Sequence, residues 1–277
     1  MKKLHLPTGV LEYELVDLTA PWMRPARTVV FLHGVGTDLG IWSEWLPILS
    51  RHYRVLRFSL RGFGGSRHYA PASLLSLDLL AQDLFSLVDE TGIDEFSVVA
   101  ESFGGCVALQ AALLQPKRIE RLCLMSTPHR GADIKPIQAW TEMTESALGM
   151  ARWHEEMMSS RFAQGCLATD ALNWFATTQQ QTDASWLRQM SQLIMATDFT
   201  GQLDKVDAPV LLMTGDSSPY VGLRQVAKLH ELLANSNVCI FPGARHGIAF
   251  SHAQTCAERF LAFAAGYRGA KPQKETV

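Results

Sequence analysis

The sequence predicts an α/β protein: a mostly parallel, doubly wound sheet with a block of helices inserted between its sixth and seventh core strands. Three observations predict it. Short apolar runs of the kind buried on both faces alternate with longer helical patterns. The core runs open directly into loops of turn-forming residues. Between residues 131 and 197 strand patterns stop and only helical ones remain.

In chain order, Leu11–Val16 alternates partially and reads as an edge strand of an antiparallel hairpin. Thr28–Leu32 is an unbroken apolar run, the signature of a parallel strand covered on both sides, and it ends in His33-Gly34-Val35-Gly36. An amphipathic segment, Leu39 to Leu49, carries Trp42 and Trp45. Tyr53–Phe58 is the next strand, and it enters Arg61-Gly62-Phe63-Gly64-Gly65-Ser66, where three glycines permit a tight path. A helix follows from about Leu74 to Glu90, with apolar residues at 77, 80, 84, 87 and 88, close to the helical period. A β-branched strand over Ser97–Val99 runs into the Ala/Leu-rich helix that ends near Gln115-Pro116, and Arg121–Met125 is the next buried strand.

The block from 131 to 197 is too long for a loop within one domain. It holds Trp140, Trp153, Trp174 and Trp186, with Met143, Met150, Met157, Met158, Met190 and Met195. Helices forming a second small core account for most of these. A cap lined by methionine and aromatic residues also suits an apolar ligand, and Trp140, Trp153 and Met157 are the expected substrate contacts. The α/β pattern resumes with strand Pro209–Met213, a helix from Val221 to Leu233, strand Asn237–Phe241 and a final helix from Ser251 to Ala265. A polar tail after Gly266 is expected to be disordered. The domains expected are therefore a core over 1–130 and 198–277, with a cap over 131–197.

Composition limits the functions. A chain of 277 residues with 47% hydrophobic and 19% charged residues is ordinary for a soluble enzyme. A net charge of −2 offers nothing to nucleic acid or an anionic membrane. No stretch has the apolar length of a membrane span or a signal sequence. The five cysteines are odd in number and scattered, which argues against a disulfide framework or zinc site and suits a reducing, cytoplasmic setting.

The chemistry centres on Ala100-Glu101-Ser102-Phe103-Gly104. A strand, a tight turn and a helix with serine at the turn make a nucleophile elbow, whose flanking positions must be small so that strand and helix can approach. Ala100 and Gly104 satisfy that. Sites in doubly wound sheets lie beyond the carboxyl ends of the strands. There the sequence places Ser102, Asp216 in Thr214-Gly215-Asp216-Ser217-Ser218, and His246 in Gly243-Ala244-Arg245-His246-Gly247. A serine nucleophile, a histidine base and a carboxylate that orients the imidazole are what acyl transfer requires. Backbone N–H groups of Val35 and Phe103 are the expected oxyanion donors. Asp216 is the only carboxylate in its turn. Asp133 and Asp198 are alternatives, and a hydroxyl or carbonyl in the acid's place remains open. His33 is expected to hold the oxyanion loop, and Glu101 to bond neighbouring loops or tune the site.

These residues carry a resemblance. With Gly36-Thr37-Asp38-Leu39-Gly40-Ile41-Trp42, the Arg54–Arg57 strand, the Arg61–Ser66 loop, Asp198–Leu203 leading into Ala208–Leu211, and Pro242–Gly247, the chain resembles lidded α/β-hydrolases over nearly its whole length. Within them it is most similar to 3-oxoadipate enol-lactonase-like proteins and their esterase relatives. Ala100 for glycine, Ser59 where relatives often carry aspartate, and Ser218 at the usual acid position, third after Gly215, are departures. The resemblance implies an α/β-hydrolase fold and a serine hydrolase acting on a small, largely apolar carboxylic ester or lactone, with no metal or organic cofactor. Serine at the elbow argues against dehalogenase and epoxide hydrolase chemistry. Hydrolysis of a carbon–carbon bond in a ring-cleavage diketone, and ligand binding without turnover, are the alternatives.

Overall fold

Alternation along single strands supplies two cores at once. In β3 (Thr28–Leu32), Val30 and Leu32 enter one core and Val29 and Phe31 the other, all fully buried. A strand without a solvent face needs an unbroken apolar sequence, and this one has it. The computed structural model describes residues 1–67, 75–134 and 136–266. Its other strands are β1 (Lys2–Leu6), β2 (Gly9–Val16), β4 (Arg54–Phe58), β5 (Phe96–Glu101), β6 (Ile119–Met125), β7 (Val210–Gly215) and β8 (Ser236–Phe241). They form one eight-stranded sheet in the order β1-β2-β4-β3-β5-β6-β7-β8. Pairs β1–β2 and β2–β4 are antiparallel, and the rest are parallel.

The helices are α1 (Leu46–Leu49), α2 (Leu77–Glu90), α3 (Phe103–Leu114), α4 (Ile137–Met143), α5 (Ala147–Arg161), α6 (Thr169–Gln180), α7 (Ala184–Ala196), α8 (Leu223–Leu232), α9 (Ile248–Ser251) and α10 (Ala253–Gly266). Helices α2, α3 and α8 cover one face of the sheet with Leu84, Val107 and Leu229. Trp42, Trp45, α1, α9 and α10 cover the other, around Phe31, Leu49 and Phe260. The described part of α2 begins at Leu77, capped by Ser76, whose Oγ accepts from Leu79 N. Leu74, the expected start, and the tail beyond Gly266 lie outside the described residues.

Helices α4 to α7 occupy the segment between β6 and β7, with no strand among its described residues. They do not build a core of their own. Trp140, Trp153, Trp186, Leu187 and Met190 merge with the core under α2 and α3, whereas Phe162 and Phe175 join the other. The helical block thus lies across the carboxyl edge of the sheet, sealed to both faces. Among the described residues no helix is long and apolar enough to cross a membrane.

Where α3 crosses β3, a Cβ on Gly104 would lie 2.5 Å from the Leu32 carbonyl oxygen and 2.6 Å from that of His33. Backbone cannot swing aside as a side chain can. Gly104→Ala is expected to destabilise the protein by about 3 kcal/mol, the upper part of the usual overpacking range. Urea denaturation followed by circular dichroism measures it, and a loss under 1 kcal/mol, the floor of that range, would refute this account of the elbow.

Candidate active site

Ser102 stands between the last residue of β5 and the first of α3, at φ 54 and ψ −121. Positive φ is costly for a residue with a Cβ, and such strain persists only where the surroundings enforce it. Here Ser102 N donates to the Met125 carbonyl at 2.8 Å and Gly105 N to the Ser102 carbonyl at 3.0 Å. Ala100 lies within extended β5, so the motif's first small position needs no glycine conformation. The serine hydroxyl is thereby held clear of the sheet edge.

His246 follows β8 in a loop fastened to the end of α5. Its N–H donates to the Ser160 carbonyl at 3.4 Å, and Gly247 N donates to the Arg161 carbonyl at 3.0 Å. Nε2 of His246 lies 2.9 Å from Ser102 Oγ, and Nδ1 lies 3.1 Å from Ser218 Oγ. For Nε2 to take the Ser102 proton, Nδ1 must carry the ring's own proton and donate it to Ser218 Oγ. Ser218 Oγ also accepts from Val221 N at 3.2 Å, so the chain itself aims that oxygen. The Tyr220 ring meets the imidazole edge-on at 5.0 Å. Burial, with the Arg161 guanidinium nearby, pulls the His246 imidazole down to about 3. At neutral pH it is an uncharged acceptor.

The carboxylate expected behind His246 is not there. Asp216 Oδ1 accepts from Gly243 N at 2.8 Å and from Ser217 Oγ at 2.9 Å, on an exposed turn. Its own N–H donates to the Phe241 carbonyl, prolonging the β7–β8 ladder by one residue, and this holds the side chain outside the turn. Two residues later the chain has turned back, which brings Ser218 to the imidazole. Asp133 and Asp198 lie elsewhere, exposed and paired with Arg130 at 3.9 and 3.3 Å. The position matching the acid of the resembled family is therefore the one that meets His246, and it carries a hydroxyl.

Val35 and Phe103 both line the cavity over Ser102. The Phe103 N–H opens α3, where no intrahelical acceptor exists for it. Gly34 brings the facing loop close: a Cβ there would lie 3.1 Å from Ser102 Cβ. That loop is held by His33, whose Nε2 accepts from Leu60 N at 2.8 Å while Nδ1 lies 2.7 Å from the Gly34 carbonyl. An accepting Nε2 requires a neutral ring, and burial holds His33 down to about 4.

Of the three expected substrate contacts, the structure places two at the cavity. Trp140 and Met157 line it, with Pro128, Ile134, Ile137 and Ile194 adding apolar wall. Trp153 does not. It is fully buried behind Trp140, edge-on at 5.7 Å, and packs toward Gly36. Reading the sequence missed Arg161 and Tyr220, which also line the cavity. Arg161 ends a helix rich in charge (Arg152, His154, Glu155, Glu156), and nothing local distinguishes it from an exposed arginine. Glu101 is buried against it, with Oε2 3.8 Å from Arg161 Nη1. Burial, partly opposed by Arg161, pushes the Glu101 carboxyl up to about 7.

The comparisons agree with this fold. The family model described as alpha/beta hydrolase fold matches residues 27–191. A relative from Agrobacterium fabrum, assigned the name carbamate hydrolase RutD, is 25% identical over 252 residues, 86% of this chain and 93% of its own. A pimeloyl-[acyl-carrier protein] methyl ester esterase of Sodalis glossinidius is 27% identical over 247 residues, 82% and 89% of the two chains. Among solved structures, the enol-lactonase of Burkholderia xenovorans LB400 superposes with a TM-score of 0.84 at 21% identity, covering 95% of this chain and all of that one. The family model spans the Ser102 turn, the His33–Gly36 loop and most of the helical block between β6 and β7, more than half of the sequence, so this chain belongs to the alpha/beta hydrolase family.

Proposed function

We propose that this chain is a serine hydrolase that cleaves a small, largely apolar carboxylic ester or lactone through an acyl-enzyme on Ser102. The observation that carries the reading is the 2.9 Å approach of His246 Nε2 to Ser102 Oγ on a strained elbow under an apolar cavity. Ser102 Oγ attacks the substrate carbonyl as its proton passes to His246 Nε2. The carbonyl oxygen becomes an oxyanion facing the N–H groups of Val35 and Phe103. Collapse expels the alkoxide, which leaves as alcohol with the proton from His246. Water then attacks the acyl group, again through His246, and the carboxylic acid departs.

Ser218 is a positioning residue in this scheme. It fixes the tautomer with a neutral oxygen and lends the imidazolium no charge. The carbamate hydrolase and methyl ester esterase names of the relatives support an acyl-transfer reaction. No nucleic acid, membrane or organic cofactor enters the reading.

The test is labelling by a fluorophosphonate probe, which reacts only with an activated serine. Wild type is expected to be labelled on Ser102, and Ser102→Ala to lose both the label and turnover of short 4-nitrophenyl esters. Labelling that survives the substitution would overturn the assignment.

A further inference from the structure

The Ser102 turn holds one buried carboxyl that the proposed reaction does not use. Among the described residues only two acids are buried, Asp83 and Glu101. Asp83 is taken up by Arg61, with contacts of 2.6 and 2.8 Å. Glu101 ends β5 next to Ser102, and neither of its oxygens has a hydrogen-bond donor. Oε2 lies 3.8 Å from Arg161 Nη1, an ion pair beyond hydrogen-bond reach. A Cβ on Gly34 would lie 3.4 Å from the same oxygen, so the carboxyl sits between the Ser102 turn, the His33–Gly36 loop and Arg161.

Arg161 is tied to each part of the site. Nη2 donates to the Val35 carbonyl, and the Arg161 carbonyl accepts from Gly247 N at 3.0 Å, beside His246. The residue shares a cavity wall with Ser102 and His246. Its charge opposes the imidazolium that must form when His246 takes the Ser102 proton. Ser218 presents a neutral oxygen to His246 and cannot offset that charge. A buried pair without hydrogen bonds is also a poor source of stability, because desolvating two charges can cost as much as their attraction returns. What the pair does to His246 is the better account of it.

We propose that Glu101 is a positioning residue for this reaction: acting through Arg161, it supplies the negative charge that the residue behind His246 lacks. The inference rests on the hydrolase reading and adds to it the group that balances the imidazolium. Ionised Glu101 offsets the field of Arg161, so the imidazolium forms at lower cost, whereas protonated Glu101 leaves Arg161 uncompensated. The other titratable groups about the pair are His33, Tyr220, His246 and Cys256. Burial holds His33 down to about 4 and His246 to about 3, and it pushes the Tyr220 hydroxyl and the Cys256 thiol up, so all four are uncharged at neutral pH. Burial, partly opposed by Arg161, places Glu101 at about 7. Of this group Glu101 alone changes charge there, ionised above and protonated below.

The test is kcat for 4-nitrophenyl butyrate in wild type and Glu101→Gln from about pH 5.5 to about pH 8.5. Gln imitates the protonated carboxyl. The two proteins should therefore agree within about twofold at the low end, and wild type should be at least about fivefold faster at the high end with KM alike. Below about pH 7 the wild-type rate should settle on the level of the variant and stay there, because His246 remains a free base. In an Arg161→Met background, Glu101→Gln should change kcat by less than about twofold at every pH, since the charge to be balanced is gone. A merely structural Glu101 would give a loss that is the same at every pH. That result, no difference at any pH, or a pH-dependent difference that survives Arg161→Met would overturn the proposal. Should either variant fail to fold by circular dichroism, NMR of the Glu101 carboxyl in wild type decides: it must titrate together with kcat, and titration at a separate pH would overturn the proposal. Absence of both turnover and fluorophosphonate labelling in wild type defeats the hydrolase reading and this inference with it. Turnover that ignores the charge of Glu101 defeats the inference alone.

Discussion

Replacing His246 with alanine is expected to lower kcat for 4-nitrophenyl butyrate by at least about a thousandfold, with KM changed little. The residue does two jobs, accepting the Ser102 proton in acylation and returning it to the leaving group. Histidine losses of this kind in serine hydrolases cost on the order of 10³ to 10⁶ in kcat, because the remaining parts cannot substitute for the base. The imidazole is buried and hydrogen-bonded on both ring nitrogens, so no other group of the loop reaches Ser102 in its place. Steady-state kinetics on the purified variant measures the loss. A fall of less than tenfold would mean that Ser102 is deprotonated by something else.

Replacing Ser218 with aspartate should produce a change of the opposite sign. Its Oγ already sits 3.1 Å from His246 Nδ1 and fixes the tautomer, so what the site lacks is charge, not orientation. A carboxylate there would stabilise the imidazolium formed in acylation, and a gain of roughly 10- to 100-fold in kcat at pH 7 corresponds to one to two pKa units on the base. The pH dependence follows the same sign. The imidazole of the natural protein is held down to about 3, first by burial and then by Arg161, so it remains a free base and activity persists as pH falls from 7 toward 5. In Ser218→Asp the imidazole binds its proton at higher pH, so the acid limb moves up and the advantage shrinks as the solution is acidified. Asp216→Asn provides the contrast. That carboxylate faces Gly243 N and Ser217 Oγ, so kcat should stay within about threefold, the scale of a perturbed surface turn. Profiles of kcat/KM between about pH 4 and 9 for these variants would contradict the account if Asp216→Asn lost activity by orders of magnitude and Ser218→Asp gained none.

These variants also mark where the sequence stops being readable. Strands β3, β5, β6 and β7 were legible because burial on both faces forces continuous apolar runs, and a run of that kind has few other readings. β1 was not: Lys2-Lys3-Leu4-His5-Leu6 pairs only with β2 at the sheet edge and keeps most of its side chains in water. The final helix is expected from Ser251 but begins at Ala253, because His252 leaves helical geometry, and the short α9 before it was not read at all. That break has no compositional mark.

The site divides in the same way. Ser102 and His246 could be found because each sits in a loop directly after a strand, and strand ends fix the sheet edge to which such loops belong. Which residue of the β7 loop meets His246 depends on side-chain direction within a non-periodic turn. Residue type favours Asp216, the only carboxylate of that turn, whereas the turn delivers Ser218. The helical block between β6 and β7 is less legible still. Trp140 and Trp153 are both buried tryptophans of one helical block, and only their packing separates the one that lines the cavity from the one behind it. Arg161 is the sharpest case, since its place in the cavity wall depends on burial that no local pattern announces.

The most direct test of the Ser102–His246 assignment is intact-protein mass spectrometry after rapid mixing with a short 4-nitrophenyl ester. The account predicts a transient mass increase equal to the acyl group, located on the peptide containing Ser102, absent from Ser102→Ala and lost as turnover ends. Turnover with no adduct on Ser102, or an adduct on another residue, would contradict it.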